Sequence, residues 1–240
     1  MTASPTELLV ATAARLLDGC RSIVVGNASP IPGSAALLAR ELSGGAMRVT
    51  ILGSRQYNDF TNGGVETFDR AAQGRVEAFF LGGGQIDGEA NINLVGAGEY
   101  PRAEVRWPGS YGSAYLYYLV PKVILFRDEH TRRVMVPKVD FVSAPGTSAP
   151  GIYRPGGPWK MLTSRGLFGF DKRRKRFVLE SVHPGHTVDD IVANTGFDFD
   201  RPASVPASAA PEPRVLELIR GKIRDQIAET YPKFAAGAAV

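Results

Sequence analysis

"VEAFFLGGGQIDGEANIN", residues 76–93, is the stretch on which the fold turns. Its first six residues form a short apolar run closed by glycine, the signature of a strand buried on both faces. The rest packs Gly82, Gly83, Gly84, Gln85, Asp87, Glu89, Asn91 and Asn93 into twelve positions. A dinucleotide fingerprint would need G-x-G-x-x-G opening a helix after the strand. Gly82, Gly84 and Asp87 take the three glycine slots, so the last one fails. Gly88, Asn91 and Asn93 are also poor helix formers, which removes the helix.

Working outward, "RSIVVGN" (21–27), "MRVTIL" (47–52), "AEVRWP" (103–108) and "KVILFR" (122–127) read as further strands. Helices are expected between them. Ser4-Pro5-Thr6-Glu7 is a capping box with proline at the first helical position, starting a helix that runs to about Leu17. A loop with Pro30 and Pro32 leads into a helix over Ser34–Leu42, closed by Gly44-Gly45. A third helix covers 65–73, and "GSYGSAYLYYL" (109–119) holds another with a Gly/Ser-rich first turn. The alternation predicts an α/β fold, an open mainly parallel sheet with helices on both faces. After residue 128 the texture changes. "RRVMVPKVDFVSAPG", "WKMLTSRGLFGF" and "RFVLESVHPG" are strand-like runs between Gly/Pro turns, expected as antiparallel additions in the C-terminal third.

"TVDDIVANTGF" (187–197) predicts a short helix capped by Thr187. The chain divides into an α/β domain over 1–200, a Pro/Ala linker over 201–213, and a C-terminal helix and tail over 214–240. Apolar residues at 215, 216, 218, 219, 223 and 227 give that helix one face for a core or a partner, and "KFAAGAAV" reads as a frayed tail.

Hydrophobic residues at 44% and charged residues at 22% describe a globular chain with a sizeable core, and no apolar run is long enough to span a membrane. The start of the chain lacks a basic segment and cleavage site, so it reads as a folded helix, not a signal peptide. Cys20 is the single cysteine, which excludes an internal disulfide and fits a cytoplasmic setting, with Cys20 a small core residue beside "SIVV". The net charge of +4 does not by itself point to nucleic acid: apart from Arg132–Arg133 the one cluster, "KRRKR" at 172–176, reads as a solvated turn between strands, with a phosphate-rich ligand such as coenzyme A as the more specific alternative and nucleic acid third. His183, before Pro184-Gly185, reads as a structural turn residue, and His130 and His186 read as having no ligand set around them, so no metal is expected.

Several motifs, in order, carry a resemblance. "FFLGGGQIDGEANIN" resembles the "LGGAQID-x-x-G-N-x-N" segment of family I CoA-transferase β subunits, the glutaconate CoA-transferase B type. "PRAEVRWPGSYGSA" is similar to that family's "P-x-x-x-x-PG-x-GG-A" loop, and "VDFVSAPG" to its strand ending in "SPG". "LFGFD" followed by "LESVHPGHTVDDIVANTGF" resembles its C-terminal block, so the likeness spans roughly 20–225.

The resemblance implies a chain that pairs with a CoA-transferase α-like subunit, as αβ or α2β2, and acts on acyl-CoA thioesters. No cofactor is permanently bound; coenzyme A enters as part of the substrate, and neither nucleic acid nor membrane is a partner. It implies a β-subunit glutamate nucleophile in the turn after the second strand, where this chain has Gly53 and Ser54. No glutamate occurs between Glu41 and Glu66. Glycine cannot replace a carboxylate, and Ser54 has no base beside it in sequence.

Two readings stay open. In one, the chain is a transferase subunit whose carboxylate comes from Asp59, Glu89 or the α chain. In the other, it resembles the ring-opening acyl-CoA hydrolases of steroid catabolism, which lack the β-subunit nucleophile. A catalytically silent partner subunit is the third class. The resemblance makes the amides of Gly109, Ser110, Tyr111 and Gly112 an anion or oxyanion site, with Tyr111 where the family has glycine. Each residue also has a plain structural role open to it: Gly82–Gly84 as a chain turn, Asp87, Asn91 and Asn93 as Asx-turn residues, and Gly109–Gly112 as a helix cap.

Overall fold

The computed structural model describes residues 2–237, which form two compact units: the described residues up to Phe80 together with those from Ala209 onward, and Leu81–Ser208. The first unit opens with α1 (Pro5–Leu16). Its capping box forms as the sequence predicts: the Glu7 N–H donates to Ser4 Oγ and the Ser4 N–H to Glu7 Oε2. β1 (Ser22–Val25) is followed by α2 (Pro30–Leu42), which begins four residues before the predicted start. The reason is local. Pro30 and Pro32 lie in the first turn, where a missing N–H costs no helical hydrogen bond, so the stretch read as a loop is helix. Gly44 and Gly45 end α2 with positive φ, as expected.

β2 (Arg48–Ile51), α3 (Gly63–Ala72) and β3 (Ala78–Leu81) complete the strand-helix alternation. β1 pairs in parallel with β2, Val25 opposite Ile51, and in parallel with β3, Ile23 opposite Ala78. The last three residues of β1 are buried, and α2 packs on β1, β2 and α1. Cys20 is buried just before β1.

In the second unit, two short antiparallel ladders come first: β4 (Gln85–Ile86) with β5 (Ile92–Asn93), and β6 (Gly96–Ala97) with β7 (Val105–Arg106). α4 (Ser113–Leu119) leads to β8 (Lys122–Arg127). β9 (Pro158–Thr163) lies parallel to β8, and β10 (Gly166–Asp171) and β11 (Arg176–Val182) add as an antiparallel meander. The strand expected over 132–146 does not form; that stretch makes only isolated bridges, Met135 with Ile86 and Ala144 with Ile92. Pro137 and Pro145 have no N–H for a ladder, which keeps it irregular.

The basic cluster is the hairpin turn between β10 and β11, where Asp171 Oδ1 accepts from the Arg173 and Arg174 N–H groups. Phe168 packs edge-on against Phe177 and Phe199 in the core. α5 (Val188–Asn194) carries a second capping box, Thr187 with Asp190. Ser208 at the end of this unit donates its N–H to Val182 O on β11, 2.8 Å away.

The chain then returns to the first unit as α6 (Pro213–Leu218), a π-helical turn over Ile219–Ile223, α7 (Arg224–Ala228) and α8 (Pro232–Ala235). Of the predicted apolar face, Leu216, Ile223 and Ile227 are buried, and α7 packs on α2. Burial of each such side chain contributes about 1.5–3 kcal/mol. Part of the expected frayed tail is therefore helix; residues 238–240 lie outside the described residues.

Candidate active site

The parallel strands β1 and β2 end in turns at their carboxyl ends, the usual location of sites in open α/β sheets. After β2 the Leu52 N–H still bonds Val25 O, and Gly53 then turns with φ +92°, a conformation that glycine adopts without strain. Asn27 Oδ1 would lie 3.1 Å from a Cβ at Gly53, so the turn after β1 also leaves little room there.

Ser54 follows, buried, with its hydroxyl fully engaged. It donates to Glu229 Oε2 at 2.6 Å and accepts from the N–H groups of Gln56 at 3.2 Å and Tyr57 at 2.9 Å. Glu229, exposed in the turn after α7, also accepts the Arg55 N–H on Oε1 at 2.8 Å and the Thr230 hydroxyl on Oε2 at 2.7 Å. The bond from Ser54, then those from Thr230 and Arg55, hold its carboxyl below the ordinary 4.5. A carboxylate thus occupies the turn where the sequence has none of its own. It comes from the far end of the chain.

Asp59 is bound by Arg48, by Thr50 Oγ1 at 3.2 Å and by Arg70 at 3.4 Å. Partial burial pushes its carboxyl up, but the bond from Arg48 and the nearby Arg70 charge outweigh this and set it below 3.8. Its oxygens hold β2 to the segment before α3.

The loop after β3 is built from its own side chains. Asp87, buried, accepts the Glu89 and Asn91 N–H groups on Oδ1, at 3.1 and 3.0 Å, and the Asn91 side-chain amide on Oδ2. Asn91 Oδ1 accepts the Gly146 N–H at 3.0 Å. Asn93 Nδ2 donates to Gln85 Oε1 and Gly96 O, and Gln85 Nε2 to Asp140. Gly83 and Gly84 are required by crowding: a Cβ would meet Ile92 Cγ2 at 2.9 Å in the first case and the Trp107 ring at 2.4 Å in the second. Gly82 and Glu89 are the exposed members. Tyr117 Oη donates to Ala90 O at 2.9 Å from full burial, which pushes its phenol well up. Before α4, Gly109 has φ +103° with open space around it, and Tyr111 has φ +45° and is 74% exposed.

Asp59 and Glu229 both bond the β2 segment, whereas Gly82–Asn93 and Gly109–Gly112 belong to the second unit. Sequence reasoning missed Glu229, and no local signal marks it. It follows the buried Ile227 by two residues, an offset that on a continuing helix would point it away from the docked face. The helix ends at Ala228, and the turn brings the side chain back. Among the described residues, no group of three or more His, Cys, Asp or Glu is placed to hold a metal ion, and no helix is long and apolar enough to cross a membrane.

The family model described as coenzyme A transferase matches residues 4–194. The B-type subunit of glutaconate CoA-transferase from Acidaminococcus fermentans is 34% identical over 151 residues, 60% of this chain and 56% of that one. The cholesterol ring-cleaving hydrolase IpdB subunit of Rhodococcus jostii is 28% identical over 159 residues, 65% of this chain and 62% of that one. The matched segment thus spans less than two thirds of these relatives' lengths. The solved structure of Rhodococcus jostii IpdAB superposes with a TM-score of 0.82 at 24% identity, covering 92% of this chain and 94% of that one, a likeness of fold. Glu229 lies beyond the family match.

Proposed function

The chain belongs to the coenzyme A transferase family, and on that premise we propose that it is the β-type subunit of a two-subunit enzyme acting on acyl-CoA thioesters. The observation that carries the proposal is the family match over residues 4–194, which contains both the turn after β2 and the loop after β3. On this reading residues 1–200 are the family domain, 201–213 its linker, and 214–240 a C-terminal helix and tail that packs on the domain or the partner, with α7 against α2 in support. An α-like subunit completes the enzyme, as αβ or α2β2. Tyr111, Tyr115, Ile152 and Tyr153 support this, being large side chains 47–82% exposed on the second unit. Coenzyme A enters as part of the substrate, with no resident cofactor, and the setting is cytoplasmic.

In this reading Gly82, Glu89 and the open Gly109–Gly112 loop meet the thioester. Asp87, Asn91 and Asn93 hold the loop in shape through the bonds described above. A specific observation favours a second reading, a ring-opening acyl-CoA hydrolase. Gly53-Ser54 provides no glutamate in the turn after β2, and one relative is a ring-cleaving hydrolase subunit.

The test is co-expression with an α-like subunit from the same genome, followed by assay of the complex on acyl-CoA thioesters with and without an acceptor acid. Transfer of CoA to the acid supports the transferase, and release of free acid without an acceptor supports the hydrolase. A complex inert to every thioester leaves the chain as a silent partner and refutes the proposal.

A further inference from the structure

Within the first unit, α1, α2 and the C-terminal helices line a cleft of about 250 Å³ that includes neither the turn after β2 nor any residue of the second unit. Its walls are apolar: Val10 from α1, Ile219 and Ile223 from the π-helical turn, Ile227 from α7 and Phe234 from α8. Two local features of the sequence shape it. Gly33 lets Ile227 seat against α2, since a Cβ there would meet Ile227 Cδ1 at 2.9 Å. The π-helical turn contributes two of the walls, and such turns inside helices are frequent at functional sites. Residues 219–234 lie beyond the family match.

Ser34, on α2, lines the same cleft. It is 3% exposed, and among the described residues its Oγ has no hydrogen-bond partner. A buried hydroxyl left unbonded in a native fold calls for a cause. A lone water is a poor one, because a held water needs about two to four polar partners. The walls offer none, and Glu7 and Arg220 at the edge are bonded to each other at 2.6 and 3.0 Å. Arg224, the remaining charged group of the lining, is exposed and lies 3.6 Å from Asp225.

We propose that this cleft binds a small neutral molecule, an apolar body of about one substituted ring carrying a hydroxyl or carbonyl group that bonds Ser34 Oγ. Size sets the body: a dry cavity of roughly 150 Å³ holds benzene, so this one has room for a ring with substituents. Ser34 sets the polar group. A pure hydrocarbon leaves its hydroxyl unbonded, and a carboxylate beside it is desolvated in return for one neutral hydrogen bond. The site is separate from the proposed thioester chemistry and does not depend on it.

The experiment uses the full-length chain, alone and with its α-like subunit, labelled at isoleucine δ1 methyls. It is titrated with p-cresol and with toluene, which lacks the hydroxyl. Saturable shifts of Ile223 and Ile227 are expected with p-cresol, in the chain and in the complex. Toluene is expected to bind roughly three- to tenfold more weakly, the worth of one neutral hydrogen bond. Ser34→Ala, which removes an unbonded hydroxyl and so leaves the fold intact, should abolish that difference by weakening p-cresol alone. Ala235→Trp, at the edge of the cleft on α8, should block both probes. Equal binding of the two probes by the wild-type chain, or a preference that survives Ser34→Ala, overturns the proposal. So does a titration that never shifts Ile223 and Ile227, which leaves water as the occupant. Binding to the lone chain that is lost in the complex also overturns it, by showing that the partner fills the cleft.

Discussion

Ser54 Oγ gives its proton to Glu229 Oε2 across 2.6 Å, joining residues 175 positions apart in the chain. The bond closes the turn after β2 with a group from the C-terminal helix. Ser54→Ala removes this donor and the acceptor for the Gln56 and Tyr57 N–H groups. The expected loss is about 1–2 kcal/mol in urea unfolding, the range for a buried hydrogen-bonded hydroxyl. The Glu229 carboxyl should also move back up toward 4.5, since the Ser54 bond is its leading cause of depression. Carboxyl-carbon NMR titration reads this directly, and an unmoved value would show that the serine does not hold the carboxylate.

Glu7 ties α1 to the C-terminal helix through Arg220. The bond from Arg220 outweighs the opposing effect of burial and lowers the Glu7 carboxyl to about 2 from the ordinary 4.5. A depressed carboxylate stabilises the fold fully above its unfolded value and less as the pH falls through the folded one. Stability from this pair is therefore expected to fall as pH drops from about 4.5 toward about 2. Glu7→Gln should flatten that part of the urea-midpoint profile. An unchanged slope would exclude the clasp as a source of acid sensitivity.

His130 gives a second, separate pH window. It is 2% exposed, with Nδ1 2.8 Å from Thr163 Oγ1 and Nε2 2.9 Å from Thr195 Oγ1. The Thr195 hydroxyl already donates to Ile191 O, so His130 Nε2 carries the proton. Burial, then the charges of Arg165 and His186, lower its value to about 4 from 6.5. The unfolded chain thus binds a proton first as the pH falls. Stability is complete above pH 6.5 and declines by about 3 kcal/mol on the way to pH 4. The imidazole proton shifts of His130 should stay constant down to about pH 5; titration near 6.5 would contradict the buried neutral ring.

Two glycines make a contrasting pair. A Cβ at Gly146 would meet Glu89 O at 2.2 Å and Ala90 O at 2.7 Å, backbone atoms that cannot swing aside. Gly146→Ala is expected to cost about 3 kcal/mol or more, at the upper end for overpacking. At Gly221, in the π-helical turn, nothing lies within 4 Å of a Cβ. Gly221→Ala should raise stability by roughly 0.5–1 kcal/mol through helix propensity. Thermal unfolding of both variants decides, and a neutral Gly146→Ala would mean that the loop after β3 is looser than its bonds imply.

What the sequence reveals is what depends on neighbours in the chain. The buried runs at Ile23–Val25 and Ala78–Leu81, the capping box at Ser4 and the N-cap at Thr187 are local patterns, and each forms where it is read. Pro30 and Pro32 mislead because proline breaks a helix interior but fits its first turn. Val134–Val136 have a strand's composition, yet Pro137 directly after them has no N–H for a ladder, and the stretch makes only isolated bridges. The loop side chains Asp87, Asn91 and Asn93 are legible as polar turn residues, but their long-range partners, Gly146 and Val139, are not. The Glu229 contact depends on where α7 stops and how α2 receives it. No spacing rule connects position 229 to position 54.

The central claim is that this chain, with an α-like subunit, acts on acyl-CoA thioesters. The most direct measurement is release of free coenzyme A by the purified complex, compared with each subunit alone at equal concentration, for acetyl-, succinyl- and glutaryl-CoA. The account predicts that the two proteins co-elute and that the complex consumes at least one thioester far faster than either chain does by itself. A chain that stays monomeric beside its co-expressed partner, or a stable complex that leaves every thioester intact, would contradict it.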